Sequence, residues 1–126
     1  MKIADAAIII TDKLTTELKS IIKQEGHVKS GFMLNSSEVR YLTNSYGGKT
    51  QFVFSIKAPF YFKHVEATRL EKGKQTMLQM IKASAAYKES IEIFSKAILE
   101  QFGKAVLLTL KGKKEFKEVV NELINN

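Results

Sequence analysis

Residues 51–66, QFVFSIKAPFYFKHVE, decide how this chain folds. Phe52, Phe54, Phe60, Phe62 and Tyr61 all fall here, half of the chain's 8 phenylalanines, so aromatic mass must be buried or presented at this point. The first half alternates. Phe52, Phe54 and Ile56 lie on one side and Val53, Ser55 and Lys57 on the other, the period of a half-buried strand. Pro59 has no N–H to give a ladder, so the strand ends before it. After it the spacing changes, and Phe60, Tyr61 and Val65 are expected to share one face of a single helical turn, with Lys63, His64 and Glu66 more exposed.

Upstream, Glu38 to Thr43 (EVRYLT) alternates Val39 and Tyr41 against Arg40 and Leu42 and reads as a strand. The turn residues of Asn44 to Lys49 (NSYGGK) join it to the aromatic strand as an antiparallel hairpin. The segment His27 to Ser37 offers Ser30 as an N-cap ahead of a short turn that carries Phe32, Met33 and Leu34 inward.

From Ile3 to Gln24, the apolar residues Ile3, Ala7, Ile10, Leu14, Leu18 and Ile21 recur three and four apart, which predicts a helix. Gly26 is its stop, and Lys19 and Lys23 complement the dipole of its last turns. Ile8, Ile9 and Ile22 form a second ridge, so this helix is either wedged between two layers or meets another subunit.

Downstream, Ala67 to Gln75 (ATRLEKGKQ) reads as a charged, pliable loop, locally basic through Arg69, Lys72 and Lys74. Met77, Met80 and Ile81 open a helical pattern that continues through Tyr87, Ile91, Phe94, Ile98 and Phe102, the longest helix expected. Gly103 stands at its end. Residues 105–110 (AVLLTL) read either as a short buried strand or as a continuation of that helix; the unbroken spacing favours the helix, with Gly112 then the stop. Phe116, Val119, Val120, Leu123 and Ile124 predict a final short amphipathic helix over Glu115 to Ile124. The expected class is α+β: an N-terminal helix, an antiparallel hairpin or small sheet, a long C-terminal amphipathic helix and a short terminal one.

At 126 residues, 44% hydrophobic and 26% charged, the composition suits one domain spanning 1–126 with one ordinary core. The absence of cysteine excludes disulfides, thiol catalysis and thiolate metal sites, and fits a reducing compartment. Asp5 interrupts the early apolar run and no small-residue cleavage site follows, so no signal peptide is expected, and the run is too short to span a bilayer. The net charge of +7 can attract phosphate backbones, anionic lipids or an acidic protein. All but Arg40 and Arg69 of the 20 basic residues are lysines, point charges on solvated stems, a composition of solubility more than of base readout.

Chemistry-bearing motifs are lacking. A zinc site would need His27, His64 and carboxylates gathered from distant segments. His64-Val65-Glu66 has the H-x-E half of a zinc deaminase signature, whose cysteine half cannot exist here. No G-x-S-x-G, P-loop or G-x-G-x-x-G occurs, and Gly47-Gly48 belong to the hairpin turn. Ser36, His64 and Glu66 are the types of a triad without its geometry. No catalytic, metal or cofactor residue is therefore assigned. Aromatics on a sheet flanked by lysines can stack single-stranded nucleic acid, but Phe52 and Phe54 read as core. The cluster at Phe60 to Phe62 is harder to hide in one small core and reads as a protein interface.

Two segments resemble the tail-completion, or neck, family of tailed phages. Ser30-Gly31-x-Met33-x-x-Ser36 is similar to the family's T-G-x-L-x-x-S before its first strand. Residues Tyr61 to Thr68, YFKHVEAT, are similar to the Y-A-x-Y-V-E-x-G after its hairpin. The order of elements over residues 3–110 agrees. The chain departs from the pattern at Met33 for leucine, Phe62 for alanine, His64 for an aromatic and Thr68 for glycine. The resemblance implies a virion structural protein that assembles as a homo-oligomeric ring between the portal or adaptor and the tail, without enzymatic turnover, in the host cytoplasm and then the virion. On that reading Ile8, Ile9, Ile22, Phe60, Tyr61, Phe62, Arg69, Lys72 and Lys74 are the interface candidates, with non-specific DNA contact open to the basic loop and no membrane partner. The rival expectation is a small basic nucleic-acid-binding domain using Lys72, Lys74, Lys111, Lys113 and Lys114, with salt-sensitive affinity.

Overall fold

A computed structural model describes residues 1–26, 31–46, 49–103 and 117–121. The first helix, α1, runs over Ile3–Gln24, as the spacing predicts. Ile3, Ala7, Ile10, Leu14, Leu18 and Ile21 are all buried along one stripe, with Ala6 and Ile22 beside them. Its end is closed by Glu25 and by Gly26 at φ +78°, a backbone conformation natural to glycine. The ridge expected from Ile8, Ile9 and Ile22 does not exist as one surface. Ile22 is fully buried and Ile8 is 68% exposed. Ile22 stands only about 40° around the helix axis from Ile8, but that step is toward the core stripe, beside the buried Leu18.

Next come the five-residue helix α2 (Phe32–Ser36) and the hairpin of β1 (Glu38–Tyr46) and β2 (Lys49–Lys57). The N-cap of α2 is Gly31, at φ +72°, and not Ser30, which lies outside the described residues. Met33 is buried and Leu34 packs on the core. The hairpin is antiparallel in an unbroken register from Glu38 opposite Lys57 to Tyr46 opposite Lys49, so both strands run closer to the turn than the expected bounds. In β1, Val39 is buried and Arg40 and Leu42 are exposed, the predicted alternation. The Val39 N–H, which points away from β2, donates to Thr15 Oγ1 at 2.8 Å and fastens this strand to α1.

Residues 53–56 of β2 are buried on both faces, Val53 and Ser55 as well as Phe54 and Ile56, so the strand is central and not half-buried. Its outer neighbour is β3 (Lys117–Asn121), which pairs with it in parallel, giving the order β1-β2-β3. This corrects the expectation of a helix over 115–124 for the described part of that segment. Val119 and Val120 are β-branched, which favours a strand, and the second edge of β2 offers the segment backbone partners where a short helix would be marginal on its own. Residues 105–110 lie outside the described residues.

After Pro59, α3 runs over Tyr61–Glu71, about three turns and not one. It absorbs most of the segment expected to be a loop. It buries Phe62 completely and Arg69 nearly so, while Phe60 and Tyr61 stay exposed. The pattern expected to run unbroken from Met77 to Phe102 is two helices, α4 (Met77–Lys82) and α5 (Ala85–Phe102), so α1 is the longest described helix. Ser84 makes the break by accepting the Tyr87 N–H at 3.2 Å as the N-cap of α5, and Gly103 closes it.

The parts form an α+β domain in which Val39, Phe54 and Ile56 of the sheet share one buried cluster with residues of all five helices. α1 and α5 lie side by side and antiparallel: the Ile3 N–H donates to Gln101 Oε1 at 2.9 Å and Lys13 Nζ meets Glu89 Oε2 at 2.6 Å. Tyr41 and Phe54, opposite each other across the hairpin, have ring centroids 5.1 Å apart. Phe94 of α5 closes on Phe54 at 5.6 Å, nearly edge to face, the preferred aromatic geometry.

Candidate functional site

The interface candidates fall in three places. Phe62, Ile22 and Arg69 are interior, Ile8 and Ile9 lie on the solvent face of α1, and Tyr61, Lys72 and Lys74 line a cleft at the end of α1, with Phe60 exposed and packed on His64 of its wall.

The cleft is built by α3. Pro59 starts the helix, its carbonyl accepting the Phe62 N–H at 3.0 Å, and the buried Phe62 ring sets the rotation of the first turn. That rotation leaves Phe60 and Tyr61 outward, 48% and 37% exposed. The Phe60 ring then packs edge-on against the His64 imidazole, centroids 4.9 Å apart.

One turn on, the Glu66 carboxylate accepts the N–H groups of Met77 at 2.8 Å and Leu78 at 3.2 Å. It thereby satisfies two orphan donors at the start of α4, where negative charge is favourable. Thr76 and Gln79 complete that start as a reciprocal capping box. Arg69 follows on the buried side: Nε donates to the Gln75 carbonyl at 2.7 Å and Nη2 to Glu25 Oε1 at 2.6 Å. A guanidinium with only 8% of its side chain exposed needs such partners, and these tie α3 to the end of α1 and to the α3–α4 turn. Arg69 is thus a brace, and not the exposed contact residue expected from the loop reading.

What remains open is a cleft of about 430 Å³ between the ends of α1 and α3. Tyr61, His64, Val65 and Thr68 make one wall, Gln24 and Glu25 the other, and Arg69, Lys72 and Lys74 contribute cationic groups. Glu25 neutralises Arg69, whereas Lys72 and Lys74 are exposed with no ion-pair partner among the described residues. The cleft therefore carries a positive excess beside an aromatic edge, a combination suited to an acidic group on an apolar support.

Ile8 and Ile9 border a shallow groove of about 480 Å³ shared with Asp12, Lys13, Thr16, Glu17 and Ala86. From Ile9 to Gln24 is about 22 Å along the helix axis, so groove and cleft are separate surfaces.

A third exposed apolar group escaped the sequence reading. Leu99 and Phe102 of α5 are 45% and 50% exposed beside the start of α1, where Glu100 meets the Met1 ammonium. A signal was available: each step of four over-rotates a helix by about 40°, so Phe102 stands roughly 80° away from the buried Phe94.

The triad types of Ser36, His64 and Glu66 are not assembled, since Glu66 is committed to α4 and His64 to Phe60. Among the described residues no three His, Asp or Glu side chains converge as metal ligands, and His27 lies outside them. Burial pushes the Tyr41 phenol above its ordinary value near 10.0, and it stands far from the cleft-forming helix α3 in sequence, on β1. No described helix is long and apolar enough to cross a membrane. Set against protein-family models, curated proteins and solved structures, the chain matches none of them.

Proposed function

We propose that the chain is a structural subunit of the head-tail connector of a tailed phage, working by shape and self-association. It assembles as an oligomeric ring between the portal or its adaptor and the tail, first in the host cytoplasm and then in the virion. The observation that carries this reading is the placement of exposed apolar side chains at both ends of α1. Leu99 and Phe102 stand at its start and Tyr61 at its finish. A subunit that repeats head to tail needs two different patches, and a rotation that closes turns such a contact into a ring.

The two segments that resemble the tail-completion family add support, because their distinctive residues have structural work here. Gly31 takes the positive φ that starts α2, and Glu66 caps α4. Light scattering on the purified protein, together with negative-stain microscopy alone and with a portal ring, tests the reading. Annular particles of uniform diameter are expected. A monomer that also fails to bind the portal overturns it.

A second reading, a small nucleic-acid-binding domain, is favoured by Lys72 and Lys74, exposed and without an ion-pair partner among the described residues. It requires duplex binding that weakens steeply with salt and a slope that falls by about one for each lysine neutralised. Binding indifferent to salt removes it.

A further inference from the structure

We propose that the cleft at the end of α1 is a docking groove for a short acidic segment of another protein, held in extended form. An apolar side chain of that segment rests on Tyr61 and Val65, and its carboxylates meet Arg69, Lys72 and Lys74. Groove and ring are independent: a subunit can assemble without the one and bind through it without the other.

The groove follows one side of α3. Tyr61, His64, Val65, Thr68, Arg69 and Lys72 recur at steps of three and one, the positions that share a helix face. From Tyr61 to Lys72 is about 16 Å along the axis, the length of about five residues of extended chain. The two ends differ in chemistry, an aromatic edge at Tyr61 and cations at Arg69, Lys72 and Lys74.

The polar atoms left over choose a peptide and not a phosphate. Arg69 is 7% exposed, and its Nε and Nη2 are committed to the Gln75 carbonyl, Glu25 and the Met80 sulfur. Its Nη1 has no hydrogen-bond partner among the described residues and is not sealed from solvent, and the cleft is the open space that Arg69 borders. Glu25 presents the matching acceptor: Oε1 takes the Arg69 N–H, and Oε2 takes none among the described residues. The Gln24 amide on the same wall both donates and accepts. A peptide unit asks for an acceptor and a donor, and an acidic side chain asks for a cation; this groove has all three. A phosphate would meet a carboxylate in the wall and the negative ends of two helix dipoles, since α1 and α3 both finish here. Three cations against the one carboxylate still leave the lining positive, as an acidic segment requires.

The probes are fluorescein-labelled peptides GFSGEEG and GEEGSFG, which cover the two directions in which a segment can lie, and their forms with glutamine for glutamate. Fluorescence anisotropy with the full chain should show saturable binding of an acidic peptide, about tenfold weaker for its glutamine form and for Lys72→Gln with Lys74→Gln. Thr68→Trp, at an exposed position midway along the groove, keeps every charge and should abolish binding, with circular dichroism to verify folding. No saturable binding of either acidic peptide overturns the proposal. Binding that survives Thr68→Trp also overturns it, because a diffuse positive field then suffices. If duplex DNA binds in the peptide's place and is lost with Thr68→Trp, or if Thr68→Trp breaks larger particles into monomers, the groove belongs to a nucleic acid or to a second copy and the proposal fails. The connector reading stands or falls on annular particles, whatever the peptides do.

Discussion

Arg69 Nη2 reaches Glu25 Oε1 at 2.6 Å across 44 residues of sequence, joining the last turn of α3 to the end of α1. Both groups are largely withdrawn from water, 8% and 25% exposed, and the same guanidinium holds the Gln75 carbonyl through Nε. The cleft has its shape because this brace holds its two walls together.

Arg69→Met should therefore destabilise the fold by about 2–4 kcal/mol, since it strands a partly buried carboxylate and a backbone carbonyl. Urea unfolding measures the loss. Glu25→Gln added to Arg69→Met should recover part of it by removing the stranded charge; a double variant less stable than Arg69→Met alone would contradict the pairing.

The Glu66 carboxylate should matter locally. Glu66→Ala is expected to cost about 1–2 kcal/mol, because two amide donors at the start of α4 lose their acceptor. Amide exchange at Met77 and Leu78 should accelerate more than exchange within α1, and uniform acceleration would argue against a capping role.

Neighbouring aromatics of α3 should behave oppositely. Phe62→Ala removes a fully buried ring and should cost about 3–5 kcal/mol in thermal or denaturant unfolding. Phe60→Ala, at an exposed ring, should stay within about 0.5 kcal/mol of the parent. Equal losses at the two positions would mean that α3 is rotated from the orientation described.

Burial raises the Tyr41 phenol above its ordinary value near 10.0. Below that value the phenol is neutral in both folded and unfolded chains and imposes no pH dependence. Above it the unfolded chain releases the proton first, so stability should fall with rising pH until the folded phenol also ionises. Tyr41→Phe should remove that component of the alkaline slope; an unchanged slope in urea melts across pH 9 to 11 would place the phenol in water.

The residues of the candidate surface show how far sequence reading reaches. Ile8 and Ile9 were legible as lying off the core stripe, because its period is local, but not as exposed or covered by a second layer, because that depends on what packs beside the helix. Phe60, Tyr61 and Phe62 were legible as a cluster but not as individuals, because which one turns inward depends on where the helix after Pro59 begins and on the core it meets. Arg69 was misread because a cation in a polar stretch looks solvated until a carboxylate from another helix is brought beside it. Leu99 and Phe102 were passed over because an apolar stripe says which residues can pack and not where the neighbouring surface stops.

Local order alone determined α1, the hairpin and the interruption at Pro59, since each depends on a periodicity or a backbone constraint carried within a few residues, whereas the stop of α5 at Gly103 corrects the reading that carried that helix on to Gly112. Tertiary structure decided that Lys117–Asn121 would be a strand, that Glu66 and Arg69 would brace α3, and that the ends of α1 would carry a cleft and an apolar knob. Those outcomes depend on partners tens of residues away: a sheet edge, a helix start and a buried carboxylate are created by folding, and until they exist nothing in a short segment distinguishes a brace from a loop.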